Sequence, residues 1–169
     1  NALNTALQQT QTTTKETILS LPYQLKAQLP LSAKLAQQIA DQRQTIQNIL
    51  EGKDHRLMIV TGPCSIHDPI SALEYAQKLQ QLQSQVSDQI FLVMRAYIEK
   101  PRTTIGWKGF LYDPNLDNSS NMQLGLEKSR ELYLQIIDMG LPIAAEILSP
   151  MATAYFDDLL AWGAIGART

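Results

Sequence analysis

Short apolar runs and amphipathic stretches take turns along this chain, and their order predicts its elements. Leu57-Met58-Ile59-Val60, closed by Gly62-Pro63, predicts a buried strand over 57–61. Residues 69–86 carry Ala72, Tyr75, Leu79 and Leu82 on one helical face, with Asp68-Pro69 as the helix entry. Ile90-Phe91-Leu92-Val93-Met94 predicts a second strand ending at Arg95. A connection rich in Gly, Pro, Asp and Asn, from about 97 to 120, leads into a helix holding Leu124, Leu126, Leu132, Leu134, Ile136 and Ile137. Pro142 to Glu146 predicts a third strand, Tyr155 to Leu160 a helix, and Ala164 to Ala167 a fourth short strand ending at Arg168. Upstream, Ser32 is placed to cap a helix whose stripe is Leu35, Ile39, Ile46, Ile49 and Leu50, closed by Gly52. Residues 1–16 are polar and of low complexity, so they predict an arm that only a partner surface would order.

Strands alternating with helices predict an α/β protein built from parallel β/α units. Four consecutive units without a Gly-x-Gly-x-x-Gly fingerprint fit strands 1–4, the first half of a (β/α)8 TIM barrel, better than a dinucleotide-binding fold. Such a barrel takes about 250 residues, so a chain of 169 residues is expected to stop partway round. The expected organisation is an N-terminal helical extension over 1–53, a flexible arm plus helix for regulation or oligomerisation. The front half of a catalytic barrel, truncated, follows over 54–169. Alone, that half is expected to be inactive and poorly stable, because it exposes two sheet edges.

Composition narrows the class. With 14 basic and 16 acidic residues the net charge is −2, which argues against a nucleic-acid partner. No apolar run approaches the roughly 20 residues of a membrane span, and no signal-peptide pattern opens the chain. A single cysteine excludes an internal disulfide and fits a reducing, cytoplasmic setting.

The predicted register puts Cys64, Arg95, Glu146 and Arg168 at the carboxyl ends of successive strands, the rim where barrel enzymes keep their chemistry. The long loop adds Glu99, Lys100, Arg102, Thr103, Thr104 and Lys108. Arginine and lysine gathered on one rim of a mildly acidic protein point to an anion site, with solvated loop charge as the competing reading. Cys64 is either a metal-competent thiol or a small buried hydrophobe. His67 reads as a helix cap or a rim hydrogen-bonder ahead of a ligand. Glu146, ending an apolar strand, must be paired or protonated. Trp107 and Trp162 read as packing residues, and Asp157 and Asp158 as a solvated face.

Gly62-Pro63-Cys64-Ser65-Ile66-His67-Asp68-Pro69, Met94-Arg95, Glu99-Lys100-Pro101-Arg102-Thr103-Thr104-Ile105-Gly106-Trp107-Lys108-Gly109 and Trp162-Gly163-Ala164-Ile165-Gly166-Ala167-Arg168-Thr169 form four ordered blocks. They resemble the type I, feedback-regulated class of 3-deoxy-D-arabino-heptulosonate-7-phosphate (DAHP) synthases, over about Leu21 to Thr169. The resemblance implies a (β/α)8 metal-dependent transferase opening the shikimate pathway of aromatic amino acid biosynthesis. It would condense phosphoenolpyruvate with erythrose 4-phosphate and release phosphate. By motif position, Cys64 would be one of four ligands to a divalent metal, manganese first, with iron, cobalt or zinc as alternatives. The other ligands, a His, a Glu and an Asp, would lie beyond Thr169. Arg95, Lys100 and Arg168 would hold phosphoenolpyruvate with Glu146 beside it, Arg102 and Thr103 would hold the phosphate of erythrose 4-phosphate, and Ala167 would also bind substrate. Lys100 would be the proton donor or acceptor.

The N-terminal extension and the segment of Ser149, Pro150 and Met151 would help form a pocket for an aromatic amino acid inhibitor. Pro150 favours tyrosine, whereas Ser149 stands where the family has Asp. The resemblance also implies a homodimer or homotetramer. Two rivals are another phosphosugar synthase on the same barrel and a non-catalytic sensor of an aromatic amino acid.

Overall fold

A computed structural model describes residues 18–102 and 105–165. Its elements run α1 (Pro22–Gln28), α2 (Ala33–Leu50), β1 (Leu57–Thr61), α3 (Pro69–Val86), β2 (Ile90–Arg95), α4 (Met122–Asp138), β3 (Ile143–Ile147), α5 (Pro150–Thr153) and β4 (Trp162–Ile165). The strands form one parallel sheet in chain order β1-β2-β3-β4. Met58 pairs with Phe91, Arg95 with Ala144 and Glu146 with Ala164. That order is the front of a (β/α)8 barrel, as the alternating pattern predicts.

Side chains alternate across the strands, so each face has its own cluster. Leu92, Met94, Ile143 and Ala145 join Leu79, Leu126, Tyr133, Ile136 and Ile137 in the main core under α3 and α4. On the other face Val93 and Ala144 meet Ile46 of α2 and Ala161, with Met58, Phe91 and Trp162 alongside. These last three sit near the amino ends of their strands, so α2 closes the end opposite the rim. Burying Ile46 contributes about 1.5–3 kcal/mol. Of the predicted stripes, Ile39 and Ile46 are buried, whereas Leu50 and Leu82 face solvent.

The caps are those the sequence announces. Ser32 Oγ accepts from the Leu35 amide at 3.2 Å, and the Asp68 carboxylate accepts from the Ile70 and Ser71 amides. Asp68 therefore caps α3, and His67, exposed beside it, does not. Helix α1, absent from the sequence reading, is a two-turn element entered at Pro22.

The segment from Tyr155 to Leu160 differs from expectation. Ser149 and Pro150 start a helix five residues earlier, but it ends at Thr153, and successive turns follow. The carbonyls that a longer helix would use are taken by arginines. Arg43 donates to the Asp157 and Leu160 oxygens, and Arg130 to the Tyr155 oxygen.

Arg130 is fully buried and grips Asp158 with two parallel hydrogen bonds of 2.9 and 2.8 Å while also donating to the Leu29 oxygen. Asp158 is thus half of a buried ion pair, not the solvated residue that a helical face implied. Asp157 does remain exposed, ion-paired to Lys26. Among the described residues no helix is long and apolar enough to cross a membrane.

Candidate functional site

The loop after β1 is fastened at both ends and leaves its thiol free. A side chain on Gly62 would run into the Arg95 carbonyl, so only glycine lets the loop lie this close to β2. Arg95 then donates Nε to the Gly62 and Pro63 oxygens at 3.1 and 3.2 Å and Nη2 to the Gly62 oxygen. Farther on, the Ile66 amide donates to the Tyr97 oxygen at 2.9 Å and the Ile66 side chain is buried. Between these anchors Cys64 is exposed, which removes the buried-hydrophobe reading. No three His, Cys, Asp or Glu side chains come together as a metal cluster among the described residues. Cys64 is one soft donor held on a rigid loop, a fit for a single position in a thiolate-containing metal site.

Beyond β2 the chain doubles back on itself. The Lys100 amide donates to the Lys108 oxygen and the Leu111 amide to the Ile98 oxygen, both at 3.0 Å. Gly109 makes this possible: its φ is +111°, and a Cβ there would lie 2.6 Å from the Ile98 oxygen and 2.8 Å from Glu99 Cα. The ladder holds Lys100 half-buried at the rim, with Arg102 and Lys108 exposed. Trp107 packs against the core and donates Nε1 to the Asp113 oxygen, the structural role expected of it. Arg95, Lys100, Arg102 and Lys108 meet no carboxylate within ion-pair distance among the described residues. The ion pairs found there belong to Lys26, Lys53, Arg56 and Arg130.

Glu146 projects from β3 on the face that carries Arg95, two positions beyond Arg95's partner Ala144. It is half-buried and lines a cavity of about 20 Å³ together with Glu99, Tyr133, Thr153 and Phe156. Glu99 is 8% exposed and accepts a hydrogen bond from Tyr112 Oη at 2.7 Å. Burial pushes its carboxyl up, Tyr112 opposes this, and the charge of Glu146 adds to the rise. Burial also pushes the Tyr112 phenol up, with the Glu99 hydrogen bond and charge adding to it. Sequence reading missed this pair; the signal was an acid continuing the run Ala96-Tyr97-Ile98.

Ser149 and Pro150 form the entry of α5, where Ser149 Oγ faces the Ala152 amide at 3.5 Å and its carbonyl accepts from Thr153 Oγ1. Met151 beside them is 81% exposed. Thr103, Ala167 and Arg168 lie outside the described residues, as does the arm over 1–16.

A sequence profile of the DAHP synthetase I family matches residues 28–169. The Tyr-sensitive phospho-2-dehydro-3-deoxyheptonate aldolase of Escherichia coli K12 is 53% identical over 92% of this chain and 44% of its own length. The Phe-sensitive enzyme of the same strain is 49% identical over 88% of this chain and 42% of its own length. The solved phospho-2-dehydro-3-deoxyheptonate aldolase of Francisella tularensis SCHU S4 superposes with a TM-score of 0.88 at 47% identity, covering 92% of this chain and 46% of that one. The chain thus spans under half the length of these relatives. The four-strand parallel sheet, the rim blocks and the profile agree, and the chain belongs to the DAHP synthetase I family.

Proposed function

We propose that this chain forms the phosphoenolpyruvate- and erythrose-4-phosphate-binding front of a DAHP synthase, the first enzyme of the shikimate pathway. The observation that carries the reading is the gathering of Arg95, Lys100, Arg102 and Lys108 at one end of the sheet with no carboxylate ion-paired to them among the described residues. Two anionic substrates can share one site only if fixed cations offset their repulsion. In this reading Arg95, Lys100 and Arg168 hold phosphoenolpyruvate, Arg102 and Thr103 hold the phosphate of erythrose 4-phosphate, and Ala167 also binds substrate.

A carbon–carbon bond forms between C3 of phosphoenolpyruvate and the aldehyde carbon, water adds at C2, and phosphate leaves. Lys100, held half-buried by the Gly109 ladder, gives or takes the proton at the reacting oxygens. Arg95 offers its guanidinium to the carboxylate or phosphate while Gly62 and Pro63 fix its orientation. Glu146 stands beside the phosphoenolpyruvate site. Cys64 would hold a divalent metal, manganese first among manganese, iron, cobalt and zinc, with further ligands from outside the described residues. Such an ion polarises an aldehyde as a Lewis acid.

The assembly is a cytoplasmic homodimer or homotetramer, with residues 1–53 as the regulatory extension. An aromatic amino acid inhibits it near Ser149, Pro150 and Met151. Tyrosine is favoured by Pro150 and by the tyrosine sensitivity of the 53% identical relative. Full-length protein should turn over phosphoenolpyruvate with erythrose 4-phosphate but not with arabinose 5-phosphate. Chelation should abolish turnover and manganese restore it, and tyrosine should inhibit more than phenylalanine. Preference for arabinose 5-phosphate, or indifference to chelation, would overturn the assignment.

A further inference from the structure

Tyr112 has no assigned role, yet it lies on a line of contacts that starts on α4 and reaches Lys100. A side chain on Gly125 of α4 would run into the Leu111 carbonyl, so helix and loop backbone touch directly there. Phe110 and Leu111 are fully buried, which fixes this arm of the loop against the helix, and Tyr112 is the next residue. Its Oη donates to Glu99 Oε1 at 2.7 Å. Glu99 is 8% exposed, faces no cation within ion-pair distance among the described residues, and has no other side-chain hydrogen bond there. A buried acid with a single donor is held by that donor, because turning away leaves it unpaired.

The backbone carries this orientation one residue further. The Ile98 oxygen and the Lys100 amide both face the returning arm of the loop, where they meet the Leu111 amide and the Lys108 oxygen at 3.0 Å. That is the pattern of an extended segment, in which neighbouring side chains point to opposite sides. Glu99 is thus buried on one side, and Lys100, half-buried, emerges on the other. Both ladder bonds leave the same edge of the segment, so they resist sliding more than they resist roll about its long axis. A side-chain bond standing across them stops the roll.

We propose that Tyr112 is a positioning residue for Lys100: its hydroxyl pins Glu99, and the pinned Glu99 sets the roll of residues 98–100 and with it the aim of the Lys100 amine. The aim itself needs no assumption about chemistry. Its consequence for phosphoenolpyruvate rests on the DAHP synthase reading.

The test compares full-length wild type with Tyr112→Phe, which keeps the ring and loses the hydroxyl. In Tyr112→Phe the KM for phosphoenolpyruvate should rise roughly 10-fold or more and kcat should fall, while the KM for erythrose 4-phosphate stays within about twofold. A merely structural defect lowers the folded fraction, which lowers kcat and leaves both KM values alone. Glu99→Gln still offers Tyr112 Oη an oxygen and should raise the KM for phosphoenolpyruvate less. If Tyr112→Phe alone fails to fold, the same change in the Glu99→Gln background removes the bond without stranding a buried charge, and it should show the same split.

A second arm needs no turnover. Acetic anhydride labelling read by peptide mass spectrometry should modify Lys100 at least about twofold faster in Tyr112→Phe than in wild type, since a released segment exposes the amine. Lys34 and Lys78, exposed on α2 and α3, should label equally in both proteins. Unchanged labelling of Lys100 overturns the positioning role, as does an unchanged KM for phosphoenolpyruvate or an equal rise in both KM values. Faster labelling of Lys100 in a protein inactive with both sugar phosphates would sink only the function reading.

Discussion

Arg130 and Arg95 sit at opposite ends of what an arginine can do in this fold. Arg130, behind the sheet, is fully buried and spends four hydrogen bonds on Asp158 and on the Leu29 and Tyr155 oxygens. Arg95, at the rim, is half-buried and donates to the Gly62 and Pro63 carbonyls, with a Tyr97 ring 5.9 Å away. One charge is neutralised inside the protein, and the other is held in place with no carboxylate paired to it among the described residues. Cations that meet no carboxylate among the described residues also occur elsewhere, as at Lys34, Lys78 and Lys128, but those are scattered over three helices. The rim differs in concentrating them where parallel strands end.

The largest effect should come from breaking the buried pair on its more exposed side. Asp158→Ala leaves Arg130 as an uncompensated charge with no route to water, so it should cost about 3–5 kcal/mol in chemical denaturation of the full-length protein. Arg130→Met should cost less, because the abandoned Asp158 is 27% exposed and can hydrate. The reverse order would mean that the arginine's hydrogen bonds to backbone outweigh its charge.

At the rim the expectation inverts. Arg102→Ala should change stability by no more than about 0.5 kcal/mol, while erythrose 4-phosphate binding weakens by about 1.5–3 kcal/mol, or roughly 10- to 100-fold. Titration calorimetry and a melting curve on one preparation would check both halves. Gly109→Ala joins the two regimes. With φ at +111° and the Ile98 oxygen 2.6 Å from the new methyl, it should cost about 1–3 kcal/mol of stability and also loosen Lys100. A variant that loses stability but keeps its KM for phosphoenolpyruvate would show that the ladder is structural only.

Acid should produce the smallest change. Burial pushes the Asp158 carboxyl up, but Arg130's hydrogen bonds and charge outweigh it, and the net value lies below the ordinary 3.8. A lowered acid contributes stability that is present above the unfolded value and lost as pH falls through the folded one. The stability gap between wild type and Asp158→Asn should therefore narrow below about pH 4, with no such narrowing between pH 5 and 8.

What could be read from the sequence was whatever local pattern decides. The four strands, α2, α3 and α4 follow from runs and periodicity, and the caps at Ser32 and Asp68 from residue type. The segment from Tyr155 to Leu160 misled because its pattern is helical while its carbonyls are claimed by Arg43 and Arg130, residues 114 to 117 and 25 positions away. Asp158 misled for the same reason. Arg95 and Glu146 could be placed at the carboxyl ends of β2 and β3 because the apolar runs that predict those strands stop there, a feature of position. Glu99 was not legible, since only its burial beside Glu146 separates it from an ordinary loop acid, and burial is a property of the packed chain.

The clasp between the N-terminal helices and the far side of the sheet also orders events in time. Gln38 donates to the Ile137 oxygen and Gln42 to the Gly140 oxygen across 99 and 98 residues, and Tyr155 Oη donates to the Ser20 oxygen across 135. At about 5–20 residues per second, a ribosome needs roughly 5 to 30 seconds to synthesise those partners after α2 has emerged. An isolated helix of 18 residues is marginal in water, so until β1 and β2 supply Met58, Phe91 and Val93, Ile46 has little to pack on. Helix α2, made ahead of the sheet, completes its clasp only after β3, and its apolar stripe stays partly unshielded until then.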